Sequence, residues 1–258
     1  MVLFMGYGSG ATAAGLLVAA IGAWRSTMVM VGVASLVVGA MALLWLRVPS
    51  AAAMDDAAAP STARTGLVGI LSASFRLRTL MLWLLFIALL TISYCLNSWL
   101  PTLLVEVGHD GRLAVLSVSI FSFGGIVAAL VIGLLIDRFG AVPTLVAFIG
   151  MSAVLLAALG LLLGSASVAT LTALLAGTGF FSLGAYGGVN VILASAYPAS
   201  LRETGIGWAK SVGRIGTVIA PIAIGMALGA GATGQTVLAW FALPAVVALF
   251  AMLVAAKR

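Results

Sequence analysis

At 258 residues, 64% of them hydrophobic and 7% charged, with a mean hydropathy of +1.29, the chain lies far outside the composition of soluble domains. The net charge of +6 does not point to nucleic acid, because the basic residues stand singly at the ends of apolar runs rather than clustered on a face. A transmembrane β-barrel is excluded as well, since its strands would alternate apolar and polar residues, whereas these apolar runs are continuous and about twenty residues long.

The expectation is therefore an all-α, polytopic membrane bundle of about eight transmembrane helices. Met1 leads straight into apolar sequence without a basic region before it, so no cleavable signal is expected. The first span runs from Val2 to Ile21 and is rich in Gly and Ala, which favours close helix approach. A second span follows from Ser26 to Leu46, between Arg25 and Arg47. From Val48 to Arg78 the composition turns to Ala, Ser, Pro, Asp and Arg, with Asp55, Asp56 and Pro60 interrupting any apolar run. This stretch reads as a linker, with a surface helix over Gly66 to Phe75.

The third span, Thr79 to Leu100, gathers Tyr94, Asn97 and Ser98 in its last two turns, and Pro101 is expected to end or kink it. An acidic loop with Glu106, His109 and Asp110 follows. The lone His109 reads as a solvated loop residue, because no second His or Cys stands at metal-ligand spacing; no metal or cofactor is expected. Cys95, the single cysteine, is read as an inert packing residue. The fourth span, Leu113 to Ile136, runs into Asp137, Arg138, Phe139 and Gly140. The fifth covers Val142 to Leu163. The sixth, Val168 to Ala196, carries Tyr186, Gly187, Gly188 and Asn190 near its middle, groups better suited to a cavity than to lipid. The seventh covers Gly205 to about Leu228, and the eighth Gln235 to Ala256.

An even number of spans leaves both termini on one side. That side receives Arg47, Arg64, Arg76, Arg78, Arg138, Arg202, Lys257 and Arg258, and the other only Arg25 and Arg112. By the positive-inside rule the first side is cytoplasmic.

The seventh span holds the feature that composition does not explain. At a rise of about 1.5 Å per residue, Lys210 lies about 7 Å and Arg214 about 13 Å along the axis from Gly205. Lys210 can snorkel to the near surface, while Arg214 sits close to mid-membrane, where a charge costs roughly 2.5–3.5 kcal/mol. No Asp or Glu lies inside any apolar span. Its partner is then backbone carbonyls with water, an acid on another chain, or an anionic ligand. The bland alternative is a cation held by carbonyls at a helix crossing.

The stretch Gly133 to Gly140, G-L-L-I-D-R-F-G, resembles the signature loop of the major facilitator superfamily in its second copy. Its physical content is that Asp137 can cap or pair at helix ends, Arg138 anchors the membrane edge and the glycines let helices approach. The basic pair that often follows the last Gly is replaced by Ala141 and Val142. Two further stretches, Tyr94 to Leu104 and the run from Gly188 through Asn190, Tyr197, Pro198, Arg202, Gly205, Trp208, Gly213, Arg214, Gly216 and Pro221, look like helices seven, ten and eleven of the aromatic acid:proton symporter branch.

The resemblance implies helices five to twelve of a twelve-helix fold. Residues 1–47 would be the last two helices of the amino-terminal bundle, residues 48–78 the central cytoplasmic linker, and residues 79–258 the carboxyl-terminal six-helix bundle; the first four helices are missing. Lys210 departs from the pattern, which has an uncharged residue there. By resemblance the function is secondary active transport of small aromatic acids by alternating access, with the proton as coupling ion, in a bacterial-type cytoplasmic membrane. A chain of this length is expected to need a second copy or the missing amino-terminal half. The substrate-binding candidates are Arg214 for the carboxylate, then Tyr94, Asn97, Tyr186, Asn190 and Lys210. Gly133, Asp137, Arg138, Gly140 and Arg202 are the cytoplasmic gating candidates. The competing expectation is a non-transporting membrane scaffold; an enzyme is not expected, because paired intramembrane acids, a metal cluster and a nucleophile beside a His are all lacking.

Overall fold

A computed structural model describes residues 24–45 and 63–256. The first span, Arg47, the linker residues Asp55, Asp56 and Pro60, and the terminal Lys257 and Arg258 lie outside the described residues. The described residues form helices α1 (Trp24–Trp45), α2 (Ala63–Ile70), α3 (Arg76–Glu106), α4 (Gly111–Phe139), α5 (Ala141–Leu162), α6 (Val168–Ser195), α7 (Ala199–Gly229), α8 (Gly234–Trp240) and α9 (Ala242–Ala256). Among them α3 to α7 and the joined α8 and α9 are each long and apolar enough to cross a membrane. α1 covers the second expected span, and Val29, Met30, Val31, Val33, Leu36, Val37 and Met41 on it are exposed. A helix that is apolar all round belongs in lipid or in a large core.

α3 is the axis of the bundle. Its most apolar window is 61% buried, against 17% for α7. Its first half joins a core layer with Leu82, Phe86 and Leu89 against Phe148, Val189 and Met252. Its second half joins another, with Leu96, Leu100 and Leu103 against Phe121, Leu175 and Leu238. α4 and α6 meet where a Cβ on Gly124 would strike the Ala176 carbonyl and one on Gly179 the Phe121 carbonyl. Backbones lie directly on each other there, the contact on which helix association in lipid depends.

Proline acts differently at two places. The helix expected to end or kink at Pro101 continues to Glu106, because the fully buried Leu100, Leu103 and Leu104 hold the extension in the core and offset the one lost backbone bond. The eighth span, read as one helix, breaks at Phe241. Pro244 has no N–H for the Trp240 carbonyl and its ring crowds that group. Gly140 closes α4 and opens α5 at φ 88°, its N–H donating to the Ile136 carbonyl at 2.8 Å. A Cβ would strain that backbone, so this glycine is required by geometry.

Two loop expectations change. His109 is half-buried, and its Nε2–H donates to the Leu163 carbonyl. It ties the α3–α4 connection to the end of α5 instead of facing solvent, and a carbonyl partner fixes the proton on that nitrogen. The helix expected over Gly66 to Phe75 is α2, which ends at Ile70. It is docked on the start of α7, with Gly66 against Thr204 and Gly69 against Leu201, and Ile70 is fully buried.

A hydrogen-bonded knot joins the turns that precede α3 and α7. The Thr79 hydroxyl donates to the Ile70 carbonyl at 2.7 Å. Its one hydrogen is thereby used, so Tyr197 donates across the 2.9 Å to Thr79. Arg78 donates to the Ala196 carbonyl at 3.3 Å, and Phe75 lies 6.0 Å from the Tyr197 ring. Burial raises the Tyr197 phenol above its usual 10.0, against smaller downward pulls from the Thr79 bond and the Arg78 charge. The neutral form is favoured in the folded state, so this contribution is whole below the ordinary phenol range and fades as pH climbs through the raised value. Tyr197→Phe is expected to cost about 1 kcal/mol of stability in detergent; an unfolding midpoint equal to wild type would remove the bond from the stabilising set.

Candidate functional site

α7 is built around a small-residue stripe. Gly205, Ala209, Gly213 and Gly216 are its buried residues over the first half, and their spacing of three and four keeps them on one face. At Gly213 and Gly216 that face lies on α3, and at Gly205 it lies on the Tyr197 ring. A Cβ on Gly213 would come within 2.8 Å of Leu90 and 3.0 Å of Phe86, and one on Gly216 within 2.7 Å of the Ile87 carbonyl. With the axes this close, Arg214 stands beside the stripe on the open side of α7 and is exposed.

The guanidinium does not hang free. Its Nη1 donates to the Tyr94 hydroxyl at 2.9 Å, and its Cζ lies 5.6 Å from the centre of the Tyr94 ring. A phenol on α3 was absent from the three partner classes expected for this cation. The choice has a chemical consequence. Tyr94 accepts from Arg214, so its own hydrogen remains available, and the remaining guanidinium N–H groups lie next to it. The pair presents converging donors with a net positive charge.

Tyr186 on α6 meets α3 at Phe86, the residue against which Gly213, next to Arg214, is seated. Phe86 holds its ring edge-on at 6.1 Å. α3, α6 and α7 thus bring Tyr94, Tyr186 and Arg214 together. The two asparagines are half-buried on the same helices and tied to their own backbones: Asn97 donates to the Ser93 carbonyl at 2.7 Å, and Asn190 to Tyr186 and Gly187 at 3.2 and 3.1 Å. Lys210 is exposed one turn before Arg214, with no hydrogen bond or ion pair among the described residues.

The gating candidates lie apart from this cluster. Gly133 is half-buried in α4 with open space where a Cβ would stand. Asp137 and Arg138 are exposed at the end of α4; Arg138 lies 5.4 Å over the Phe139 ring. Asp137 makes no hydrogen bond or ion pair among the described residues, so the capping or pairing expected of it is not seen within this bundle. Arg202 is exposed in the first turn of α7.

Residues not singled out from sequence also shape the site. Phe86 seats both Gly213 and the Tyr186 ring. Trp83 stacks on Trp208 at 6.1 Å across the same helix pair. The available signal was period alone, because Trp83 and Tyr94 are separated by about three turns of 3.6 residues and so share a face. A cavity of about 160 Å³ among α3, α7, α8 and α9 is lined by Thr91, Ala220, Ile224, Phe241 and Pro244 among others. None of the candidate residues lines it. Among the described residues no group of three His, Cys, Asp or Glu comes together.

Two substitutions test this arrangement. Tyr94→Phe removes the acceptor from a cation and is expected to lower stability in detergent by about 1.5–3 kcal/mol. Gly216→Val drives a side chain into the Ile87 carbonyl and is expected to cost about 1–3 kcal/mol by overpacking. Thermal unfolding reads both, and an unchanged midpoint in either would contradict the close α3–α7 packing.

The sequence profile of the Major Facilitator Superfamily matches residues 1–221. The 4-hydroxybenzoate transporter PcaK of Pseudomonas putida is 31% identical over 192 residues, which are 74% of this chain and 42% of that protein. The gallate transporter of Pseudomonas putida is 30% identical over 184 residues, 71% of this chain and 40% of that protein. The 3-(3-hydroxy-phenyl)propionate transporter of Escherichia coli is 32% identical over 218 residues, 82% of this chain and 51% of that protein. The chain spans about half the length of these relatives or less. Its apolar helices, its glycine-lined crossings and this profile match together make it a multi-pass membrane protein that belongs to the major facilitator superfamily.

Proposed function

We propose that this chain is the carboxyl-terminal part of a secondary transporter of small aromatic carboxylic acids, and that Arg214 with Tyr94 forms its carboxylate site. The observation that carries the reading is the Arg214–Tyr94 pair: a cation deep in an apolar helix, paired with a neutral phenol and exposed on the open side of α7. A carboxylate laid against it would receive a guanidinium N–H and the phenol O–H at once. Such charge-assisted bonds are the strong ones, more so in a low-dielectric setting. Tyr186 and Phe86 would supply aromatic contact to a ring.

The relatives named above, transporters of 4-hydroxybenzoate, gallate and 3-(3-hydroxy-phenyl)propionate, support the substrate class. Each of these compounds joins a carboxylate to a ring. All three are named as transporters, which argues against an enzyme. In this reading residues 1–47 belong to the amino-terminal bundle, residues 48–78 to the connecting segment and residues 79–258 to the carboxyl-terminal bundle. The Asp137 and Arg202 ends face the cytoplasm of a bacterial cytoplasmic membrane, both termini lie there, and the proton is the coupling ion. Asp137 is left for a partner outside the described bundle. The open face of α7 is where the other half-transporter, or a second copy of this chain, closes the path.

The test is calorimetric titration of the purified chain in detergent with 4-hydroxybenzoate. Arg214→Lys keeps the charge but loses the planar fork, and is expected to weaken binding at least about tenfold in protein that remains helical by circular dichroism. Equal affinity in the two proteins would remove Arg214 as the carboxylate partner. Absence of binding to wild type would favour a scaffold without transport activity.

A further inference from the structure

The break in the last span leaves room beside it. The cavity of about 160 Å³ lies where α8 gives way to α9, with Val237 and Trp240 before the break, Phe241 at it, Ala223 and Ile224 across on α7, and Thr91 contributed by α3. Its surface is almost wholly apolar. Ile224, Val237 and Phe241 are buried, whereas Ala223 and Trp240 are exposed, so core residues floor the cavity and one edge is open. Ile222 and Leu243, the neighbours in sequence of the lining residues Ala223 and Pro244, are 58% and 65% exposed. The opening therefore gives onto a surface that is apolar on both sides.

Depth and chemistry decide what fills it. The joined α8 and α9 span 23 residues, about 34 Å at 1.5 Å per residue and little more than the roughly 30 Å hydrocarbon core. Trp240 lies about 9 Å along that axis from Gly234, which puts the opening within hydrocarbon. A water settles where two to four polar groups hold it, and an apolar cavity of about 150 Å³ stays dry and takes up a hydrocarbon ligand instead. Left empty, the cavity would deprive its lining of contacts on one side. We propose that it is a seat for the end of a fatty-acyl chain of a bilayer phospholipid. Such chains are already the medium at the opening. The seat also adjoins the α3–α7 crossing, because Thr91 is the side chain that a Cβ on Gly216 would strike. An acyl chain packed on Thr91 and Ile224 thus braces α7 against α3 beside that contact.

The experiment places the purified chain in dioleoyl phosphatidylcholine vesicles containing a phosphatidylcholine with a diazirine at the end of one acyl chain, illuminates them and maps the adducts by peptide mass spectrometry. Label is expected within 220–224 and 237–244 and, from lipid passing over the surface, on the exposed α4 residues Phe123, Leu130 and Leu134. Ala223→Phe sets a ring across the open edge and is expected to lower the cavity label about fivefold, the factor for losing roughly ten dispersion contacts. The α4 label is expected to stay unchanged, which shows that the variant is folded in the bilayer. Ala220→Leu, which fills the cavity from within, is expected to act in the same way. Equal cavity label in wild type and both variants means that chains only pass over the surface, and overturns the seat. Label on α4 with none at the cavity in wild type means that water, a second copy or another polypeptide covers it, and overturns the seat as well.

Discussion

How closely α7 can lie on α3 governs the centre of this bundle. In lipid there is no hydrophobic force to press two apolar helices together, and association depends on contact at short range. Gly213 and Gly216 supply it by removing the side chains that would hold the two axes apart. With Gly216 seated on the Ile87 carbonyl and Gly213 on Phe86, the residue next to Gly213 is carried to the edge of the crossing. That residue is Arg214, within hydrogen-bond distance of a phenol two turns further along α3 than Phe86.

The same closeness sets the electrostatics. Among the described residues the guanidinium is hydrogen-bonded to a phenol and to no carboxylate, and a phenol satisfies geometry without neutralising the charge. Had α7 carried bulkier residues on its buried face, the cation would have met lipid or its own backbone. The knot of Thr79, Tyr197 and the Ile70 carbonyl acts at the other end of the same helix pair, tying the turn before α3 to the turn before α7. Axial sliding of one helix past the other would break it, so the register that pairs Tyr94 with Arg214 is secured at two separate places.

Leaving a polar group unpaired in hydrocarbon is costly, yet Trp83 Nε1 and the hydroxyls of Ser119, Ser122 and Thr178 are buried in the described spans without a hydrogen-bond partner. Other hydroxyls and amides in the spans fold back on carbonyls of their own helix, as Ser93 and Asn97 do, or pair across a crossing, as Ser152 does with Ser182. Against that background the Arg214 guanidinium stands out as an exposed cation whose hydrogen-bond partner among the described residues is a phenol.

The amino-acid sequence by itself determined the helical class, the positions of the long spans among the described residues to within about six residues, the candidate polar residues in them and the presence of a cation deep in the seventh. Those features are legible because a membrane span is set by composition over one continuous stretch, and a charge inside it is visible without any partner. Only the tertiary structure decided that Arg214 meets Tyr94, that His109 is tied to the end of α5, that α2 is docked on α7, and that the last span breaks before Pro244 while the third runs through Pro101. Each of these depends on which residues far apart in the chain come to the same height on packed helices. That height is set by glycine contacts and core layers drawn from the whole bundle, and no local stretch of sequence contains it.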